Sequence, residues 1–424
     1  MRRRASPKLA SYAALSAIGL LAALISGRPE LVALTAPFVL ALGAGLSLAA
    51  APRVSATLEV DEERALEGDE IAARVILDAE TAVARLDVLV QLPPGLTVVD
   101  EPNPVSVKLA AGERREVALP LVADHFGGHV LGPVLVRASD PLGLLSWEWS
   151  AGERRAVRVY PRAEVLRRTV RPAETQLYAG NELSRRRGEG IEFADMRPWA
   201  PGDPLKRVNW RASARREELW VNESHPERNT DVILFVDSFA EARSGDEGTL
   251  DLAIRATASL ADGYLRRRDR VGLISFGGIL RWLVPGTGLV QVYRIVEALL
   301  DTEIVLSYYW KEIEVIPRRV LPPNALVVAL SPLLDPRSVG ALVDLRARGF
   351  DLAVLDISPV PFAERPAGGI DALAFDIWML RREALRHRLQ RAGVAVAEWR
   401  SESSLQATLE EVREFRRHAR VVRA

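Results

Sequence analysis

Two long apolar runs, separated by a short polar break, occupy the first fifty residues. Residues 9–26 are largely apolar or small, and residues 31–51 are almost wholly apolar. About 20 apolar residues in a helix span the hydrocarbon core of a bilayer. The four residues between the runs suit a tight turn. The pattern therefore predicts a transmembrane helical hairpin over residues 1–52.

The charges around this hairpin predict its orientation. Arg2, Arg3, Arg4 and Lys8 precede the first run, whereas the break between the runs contains only Arg28 beside an acid. Basic residues flanking a span stay in the cytoplasm. We therefore expect an inner-membrane protein with two spans whose soluble domains are cytoplasmic. A signal peptide is the alternative, but it explains the first run and not the second.

From residue 53 to residue 162 apolar positions alternate with polar ones, and glycine or proline interrupts the pattern at short intervals. Examples are SATLEV at 55–60 and IAARVILDA at 71–79. This period of two is typical of strands with one buried face. Many short strands at regular spacing predict an all-β, immunoglobulin-like sandwich. No residue cluster there indicates chemistry, so a spacer or docking module is the simplest interpretation.

From residue 231 to residue 424 the pattern changes to continuous apolar runs separated by amphipathic stretches. Such runs are DVILFV (231–236), RVGLISF (270–276), ALVVAL (325–330) and DLAVLDIS (351–358). Buried strands alternating with helices predict a parallel, Rossmann-like α/β sheet covered on both faces. Ligands of such sheets bind at the carboxyl ends of the strands. The chain is therefore predicted to be a multidomain protein.

The segment at 163–230, between the sandwich and the α/β domain, includes GEGIEFADMRPWAPGDPLKRVNWRASARREELWVNE (188–223). Tryptophan and arginine together are typical of binding hot spots, which favours a docking surface for a partner protein. The alternative is an internal clamp, with Trp199 and Trp210 packed on the α/β domain and arginines paired with acids. The arginines of that clamp are Arg197, Arg207 and Arg211, and its acids are Glu192, Asp195 and Asp203.

This segment closely resembles the signature of the domain of unknown function 58 family. Three family motifs recur here, and they match at Gly188, Gly190, Glu192 and Phe193, then at Arg197, Trp199, Gly202 and Asp203, and finally at Trp210, Ser213, Ala214 and Arg215. The sequence departs from the third motif at Lys206, which replaces an arginine, and at Val208, which replaces an isoleucine. The resemblance is specific over about residues 180–240 and weaker beyond them.

The resemblance implies a role rather than a reaction. Members of the family have no established enzymatic activity and are typically encoded with MoxR-type AAA+ ATPases. We therefore expect a non-enzymatic, membrane-anchored adaptor or scaffold in the assembly or maturation of other proteins, with a MoxR-type AAA+ ATPase as its partner. The composition of the segment and its motif positions together give the candidate partner-binding or clamp residues, which are Glu192, Arg197, Trp199, Asp203, Arg207, Trp210 and Arg215.

The first strand of the α/β domain ends in Asp237, which resembles the start of a von Willebrand factor type A domain. Such domains hold a divalent cation with an Asp-x-Ser-x-Ser motif and two further loops. Phe239 and Glu241 occupy the serine positions here, and Thr287 and Asp335 match the distant ligands. Oxygen ligands suit Mg²⁺, but phenylalanine cannot ligate it. We therefore expect a degenerate site, in which Asp237 caps backbone amides instead.

Composition and motifs remove several classes of function. Lys plus Arg and Asp plus Glu each number 56, so no overall charge attracts nucleic acid. There is no cysteine, which excludes disulfides and thiol catalysis. The sequence contains no phosphate-loop, His-Glu-x-x-His or Gly-x-Ser-x-Gly motif. The enzymatic alternative is a metal-assisted hydrolase at the degenerate cation site, and a metal-dependent adhesion protein is a further one.

Overall fold

The computed structural model describes residues 1–47, 50–100, 102–170, 192–201, 203, 205, 208–225, 231–304, 316–317, 321–322 and 325–421. Within these residues the chain divides into two compact units, Met1–Arg162 and Ala163–Ala424. Gly188 and Gly190 of the signature, together with Gly202, Lys206 and Arg207, lie outside the described residues.

The first unit contains the two apolar helices that the sequence predicts. Helix α1 is Pro7–Ser26 and helix α2 is Pro29–Ser47. The Ser6 side chain caps α1 by accepting the Lys8 amide at 3.2 Å. Gly27 ends the helix in the left-handed conformation, at a φ of 69°. Both helices are long and apolar enough to cross a membrane, which confirms this part of the prediction.

Strands make up the rest of the first unit, and most of their pairings are antiparallel, as the alternating pattern predicts. They form sheets with the orders β1-β11-β10-β5-β7, β2-β4-β8-β6 and β3-β12-β9. The immunoglobulin-like arrangement of these sheets remains a prediction. The strands are β1 (Arg2–Ala5), β2 (Val54–Val60), β3 (Arg64–Leu66), β4 (Glu70–Ala79), β5 (Val83–Val90), β6 (Leu96–Val98), β7 (Val105–Leu109), β8 (Arg114–Ala123), β9 (Gly127–Leu131), β10 (Val134–Ser139), β11 (Leu145–Ala151) and β12 (Arg155–Tyr160).

The amino-terminal residues belong to the fold of this unit. Strand β1, which precedes α1 in the chain, pairs antiparallel with β11, so that Arg2 faces Glu148 and Ala5 faces Leu145. The Arg4 guanidinium also lies 3.2 Å from the Glu148 carboxylate. Strand β2 follows α2 and lies in a second sheet of the same unit. The helical hairpin therefore begins and ends at the same group of strands.

The second unit begins with a small hairpin and continues into a larger α/β sheet. Its strands are β13 (Glu192–Pro198), β14 (Trp220–His225), β15 (Asp231–Ser238), β16 (Arg243–Ser244), β17 (Glu247–Gly248), β18 (Arg270–Gly277), β19 (Arg281–Gly286), β20 (Leu326–Ser331), β21 (Asp351–Ile357) and β22 (Ala395–Trp399). Its helices are α3 (Trp210–Arg216), α4 (Thr249–Leu265), α5 (Gly288–Leu300), α6 (Pro336–Ala347), α7 (Gly369–Arg391) and α8 (Leu405–Val421).

The large sheet has the order β19-β18-β15-β20-β21-β22. Five of these strands are parallel, but β19 runs antiparallel to β18. The sheet is therefore mixed, whereas the sequence pattern predicts a parallel one. Only residues 278–280 connect β18 to β19, and a parallel crossover needs a dozen residues or more. The von Willebrand factor type A assignment itself remains a prediction.

The chain changes direction across the sheet between β15 and β20. Strand β15 leads through α4 to β18 on one side, and β20 leads through α6 to β21 on the other. Helix α6 packs on one face of the sheet, in a cluster with Phe235, Ala329 and Val354. Helix α4 contacts β15 and β18 but contributes no residue to that cluster. Ligands of open α/β sheets bind at such a reversal point, beyond the carboxyl ends of the strands.

Candidate functional site

The signature segment forms a short hairpin with a helix in the connection between its two strands. Strands β13 and β14 pair antiparallel, with Pro198 opposite Trp220, and α3 lies between them in the chain. Asn209 caps α3, because its side chain accepts the Ala212 amide at 3.1 Å. The Ser213 hydroxyl accepts the Trp220 amide at 2.8 Å. These bonds fix the helix to β14, so the segment is an ordered element rather than a linker.

A partly buried ion pair closes the turn after β13. The Arg197 guanidinium donates to both carboxylate oxygens of Asp203, each at 2.6 Å, in the two-pronged geometry that arginine favours. The same carboxylate accepts the Ala200 amide at 2.8 Å. The Trp199 indole donates to the Asp203 carbonyl at 3.2 Å. Arg197, Trp199 and Asp203 are therefore brought together as one unit, which we call the Arg197 clamp.

The tryptophans of the signature have different environments. Trp199 belongs to the Arg197 clamp, and Trp220 is half-buried with the Arg216 guanidinium 4.0 Å from its ring centroid. Trp210 is 66% exposed, which does not fit the clamp alternative in which it packs on the α/β domain. The reason is its place at the first turn of α3, because the short helix turns Ser213 toward β14 instead.

Exposed side chains surround Trp210 on α3. Arg211, Ala214 and Arg215 are all exposed, and with Trp210 they form what we call the Trp210 surface. Residues four positions apart lie on one side of a helix, so Ala214 follows Trp210 and Arg215 follows Arg211. An indole flanked by guanidinium groups can bury apolar area and donate hydrogen bonds to a partner. The Glu192 side chain and Arg207 lie outside the described residues.

A row of polar side chains crosses the carboxyl edge of the large sheet. Asp237, Ser331, Asp356 and Glu398 occupy matching positions on β15, β20, β21 and β22. They continue the face that α6 covers, because side chains two apart on a strand share a face. The row lies at the point where the chain reverses direction across the sheet. The edge that the α/β pattern predicts as a ligand site thus carries three carboxyl groups.

Asp237 is satisfied by hydrogen bonds from its own neighbourhood. Its carboxylate accepts the Ser331 hydroxyl at 2.6 Å and the Phe239 amide at 3.1 Å. The residue is 1% exposed. Burial raises the pKa of this carboxyl to about 6, and the charge of Asp335 adds to the rise, while the Ser331 bond opposes it. Asp237 thus caps backbone at the strand end, as the simpler sequence interpretation has it.

The other proposed cation ligands are arranged around arginines. Arg337 donates to both oxygens of Asp335, at 3.0 and 2.8 Å, and its guanidinium lies 4.1 Å from the Phe239 ring centroid. Glu241 pairs with Arg243 at 3.1 Å. A cation at this edge would therefore compete with guanidinium groups for Asp335 and Glu241. Among the described residues no group of three or more His, Asp or Glu could hold a metal ion.

Thr287 lies away from these groups. It follows Gly286, which pairs with Val271 near the amino end of β18, and Val271 in turn pairs with Val232. Asp237 is five residues further along β15, a separation of about 17 Å along the strand. The antiparallel return of β19 causes this placement. The structure therefore brings Asp237 and Asp335 toward each other but does not bring Thr287 to them.

The most buried ion pair at this edge involves Asp356. Arg382 of α7 donates to Asp356 at 2.8 Å and to the Pro332 carbonyl at 2.7 Å. The side chains of Asp356 and Arg382 are 0% and 7% exposed. Burial raises the pKa of the Asp356 carboxyl to about 6, against the lowering effects of Arg382 and Arg386. The pair fastens α7 to the ends of β20 and β21.

Sequence analysis did not single out Asp356 or Arg382. Asp356 follows the apolar run of β21 just as Asp237 follows that of β15, so inspecting the end of every run would have found it. Arg382 gives no comparable signal, since α7 is rich in arginine and only the packing shows which one turns inward. Arg337 is likewise one of several surface arginines in the sequence.

Comparison with known families places both parts of the site within one matched stretch. Residues 195–357 match the family described as "Protein of unknown function DUF58". This stretch includes the Arg197 clamp, the Trp210 surface, Asp237 and Asp356, and it is less than half of the chain. The region of the signature resemblance is therefore similar to that family.

Individual relatives add little about activity. The chain is 23% identical over 246 residues to "Uncharacterized protein YeaD" of Bacillus subtilis (strain 168), which is 57% of this chain and 60% of that protein. The match thus spans less than two thirds of the relative.

The matches to solved structures are weak. Native alpha-2-macroglobulin from Escherichia coli is 18% identical, with a TM-score of 0.22 over 27% of this chain and 17% of the other. A non-cellulosomal cohesin from Archaeoglobus fulgidus is 15% identical, with a TM-score of 0.19 over 30% of this chain and 99% of the other. TM-scores this low support no assignment.

Proposed function

We propose that this protein is a non-enzymatic, membrane-anchored adaptor that binds a partner protein through the Trp210 surface. The observation that carries the proposal is the 66% exposure of Trp210 on a helix fixed by Asn209 and Ser213. Large aromatic side chains are costly to leave in water, and rigid ones lose little entropy on binding. Tryptophan and arginine dominate binding hot spots.

The partner follows from the family resemblance. Proteins with this signature are typically encoded with MoxR-type AAA+ ATPases, so we propose such an ATPase as the protein that contacts the Trp210 surface. The adaptor would then act in the assembly or maturation of other proteins. The Arg197 clamp supports the proposal indirectly, because it makes the hairpin below α3 rigid.

We further propose that both soluble units lie in the cytoplasm, below two membrane spans. The basic residues Arg2, Arg3, Arg4 and Lys8 precede α1 and favour this orientation. The pairing of β1 with β11 supports the two spans, because the strands on either side of the hairpin then lie on the same side of the membrane.

The proposal is tested by tagging the carboxyl terminus, solubilising native membranes gently and identifying the proteins that co-purify. We expect an AAA+ ATPase with the unaltered chain and a strong loss of it with Trp210→Ala. Trp282→Ala is the matched control, since Trp282 is 50% exposed on β19 of the same unit. Equal loss in both variants, or recovery of the ATPase with Trp210→Ala, would remove the Trp210 surface from the account.

The second candidate is a metal-assisted hydrolase or metal-dependent adhesion protein. The observation in its favour is that the pKa of the Asp237 carboxyl is raised, mainly by burial and to a smaller extent by the charge of Asp335, so that two acidic groups lie near each other at the sheet edge. Titration of the protein with Mg²⁺ or Mn²⁺ by calorimetry separates the candidates. Binding heat that disappears in Asp237→Asn would favour the metal-dependent activity, and no heat at millimolar metal would favour the adaptor.

A further inference from the structure

The turn between β10 and β11 packs against the base of the helical hairpin. Leu144 is fully buried in a cluster with Leu145 and Trp147, and the helix residues packed on this cluster are Leu9, Tyr12 and Leu42. The Ser6 amide, immediately before α1, donates to the Leu144 carbonyl at 2.8 Å. The turn is therefore attached to both helices near their strand-side ends.

The lengths of the helices place this contact at the depth of the membrane surface. Helix α1 has 20 residues and α2 has 19, which corresponds to about 30 Å and about 28 Å at 1.5 Å per residue. A hydrocarbon core is also about 30 Å thick. Neither helix has a spare turn that could hold the strands away from the bilayer. Residues that pack on Tyr12 and Leu42 therefore lie at the interface.

One further helix residue shows how closely the turn approaches. Gly45 lies in the last turn of α2, and a Cβ atom at that position would be 3.2 Å from the Leu142 Cδ1 atom and closer still to Leu144. Gly45 thus leaves the room that the two leucines occupy. Leu142 is nonetheless 42% exposed. An aliphatic side chain is therefore held beside a spanning helix, with much of its surface left uncovered.

Three backbone amides of the turn are paired within it. The Asp140 carboxylate accepts the Leu145 amide at 2.6 Å and the Leu142 amide at 3.2 Å, and the Asp140 carbonyl accepts the Gly143 amide at 3.0 Å. Asp140 itself is 7% exposed. Irregular backbone is tolerated near hydrocarbon only when its polar groups are paired. These pairings therefore lower the cost of placing this turn in contact with lipid.

We propose that the turn Pro141–Leu144 is a third membrane contact, in which Leu142 enters the interfacial region of the bilayer and lipid covers its exposed surface. The inference rests on the membrane hairpin of the proposed function and adds a lipid-binding surface on the strands themselves. With α1, α2 and the turn all in contact with lipid, the first unit has three points of attachment. Its orientation to the membrane is then fixed.

The absence of cysteine allows a direct test with single labels. The full-length chain is reconstituted into phosphatidylethanolamine–phosphatidylglycerol vesicles after Leu142→Cys and attachment of an environment-sensitive fluorophore. Spin-labelled lipids then report its depth. Ile18→Cys, 65% exposed in α1, is the label inside the membrane, and Leu66→Cys, 45% exposed on β3, is the matched label outside it.

We expect blue-shifted emission at 142, with strong quenching by lipids labelled near the headgroup. At position 18 we expect quenching by lipids that carry the spin label deep in the acyl chain, and at position 66 we expect no quenching. A label at 142 that behaves like the label at 66, while the label at 18 is quenched, overturns the third contact and leaves the hairpin standing. Loss of quenching at 18 as well would contradict the membrane hairpin, and the inference with it.

Discussion

Removal of the Arg382 guanidinium isolates a buried carboxylate, and the consequence can be worked out from the structure. Arg382→Met keeps most of the side-chain volume but deletes the 2.8 Å bond to Asp356 and the 2.7 Å bond to the Pro332 carbonyl. Breaking one half of a buried ion pair costs about 3–5 kcal/mol. We expect a loss of this size in the stability of the α/β unit at neutral pH and above.

The loss of stability in Arg382→Met should grow as the pH rises. The pKa of Asp356 is already raised to about 6, and Arg382 opposes that rise. Without Arg382 the pKa moves higher, so the folded variant takes up a proton at pH values where the unfolded chain stays ionised. Stability of the variant relative to the unaltered chain therefore falls as the pH rises from 5 to 8. At pH 5 the neutral carboxyl removes much of the penalty.

Hydrogen exchange of the β21 amides in the full-length protein measures this loss locally, after correction for the intrinsic rate at each pH. Arg386→Met is the matched control, because Arg386 is 26% exposed and its Nε lies 3.9 Å from the Asp356 carboxylate. We expect a clearly smaller effect there. An equal loss at pH 5 and pH 8, or an equal loss in both variants, would refute the assignment of Asp356 as a carboxylate dependent on Arg382.

Other substitutions test separate parts of the structure. Asp237→Asn should stabilise the β15 amides against exchange above pH 6, by up to about 3 kcal/mol. The reason is that the pKa of Asp237 is raised to about 6 in the folded protein, so ionisation of this carboxyl lowers the free energy of unfolding as the pH rises from 4 through 6. Asp203→Ala, which removes both bonds from the Arg197 guanidinium to the Asp203 carboxylate, should lower protection of the β13 amides at both pH 5 and pH 8. Gly19→Ala should lower the thermal stability of the detergent-solubilised protein, because its new Cβ would overlap Thr35, whereas Gly43→Ala, with nothing near it, should not.

Sequence patterns were most informative where a single physical constraint dominates. The two apolar helices follow from runs of about 20 apolar residues, the length that crosses a hydrocarbon core, and the structure has helices at Pro7–Ser26 and Pro29–Ser47. The alternation of residues 53–162 likewise predicts the antiparallel strands. The short link after β18 was a signal in the sequence that β19 must return antiparallel, but apolar content alone does not show direction.

The sequence predicts where the candidate site lies better than it predicts which side chains contact one another there. The rule that polar residues follow buried strands finds Asp237, but the partners of that residue come from distant parts of the chain. Arg382 and Ser331 reach the edge only because α7 and β20 pack beside it. The exposure of Trp210 depends on which side of a short helix faces β14, and composition cannot show this. Packing, rather than pattern, separates the Arg197 clamp from the Trp210 surface.

The central claim is that Trp210 contacts a partner protein on the cytoplasmic side of the membrane. Its most direct test is site-specific photo-crosslinking in living cells, with a photoreactive phenylalanine analogue placed at 210 or, as the control, at 282. The account predicts a crosslink at 210 to an AAA+ ATPase and none at 282. No crosslink at 210 in cells that contain the ATPase, or equal crosslinks at both positions, would contradict it.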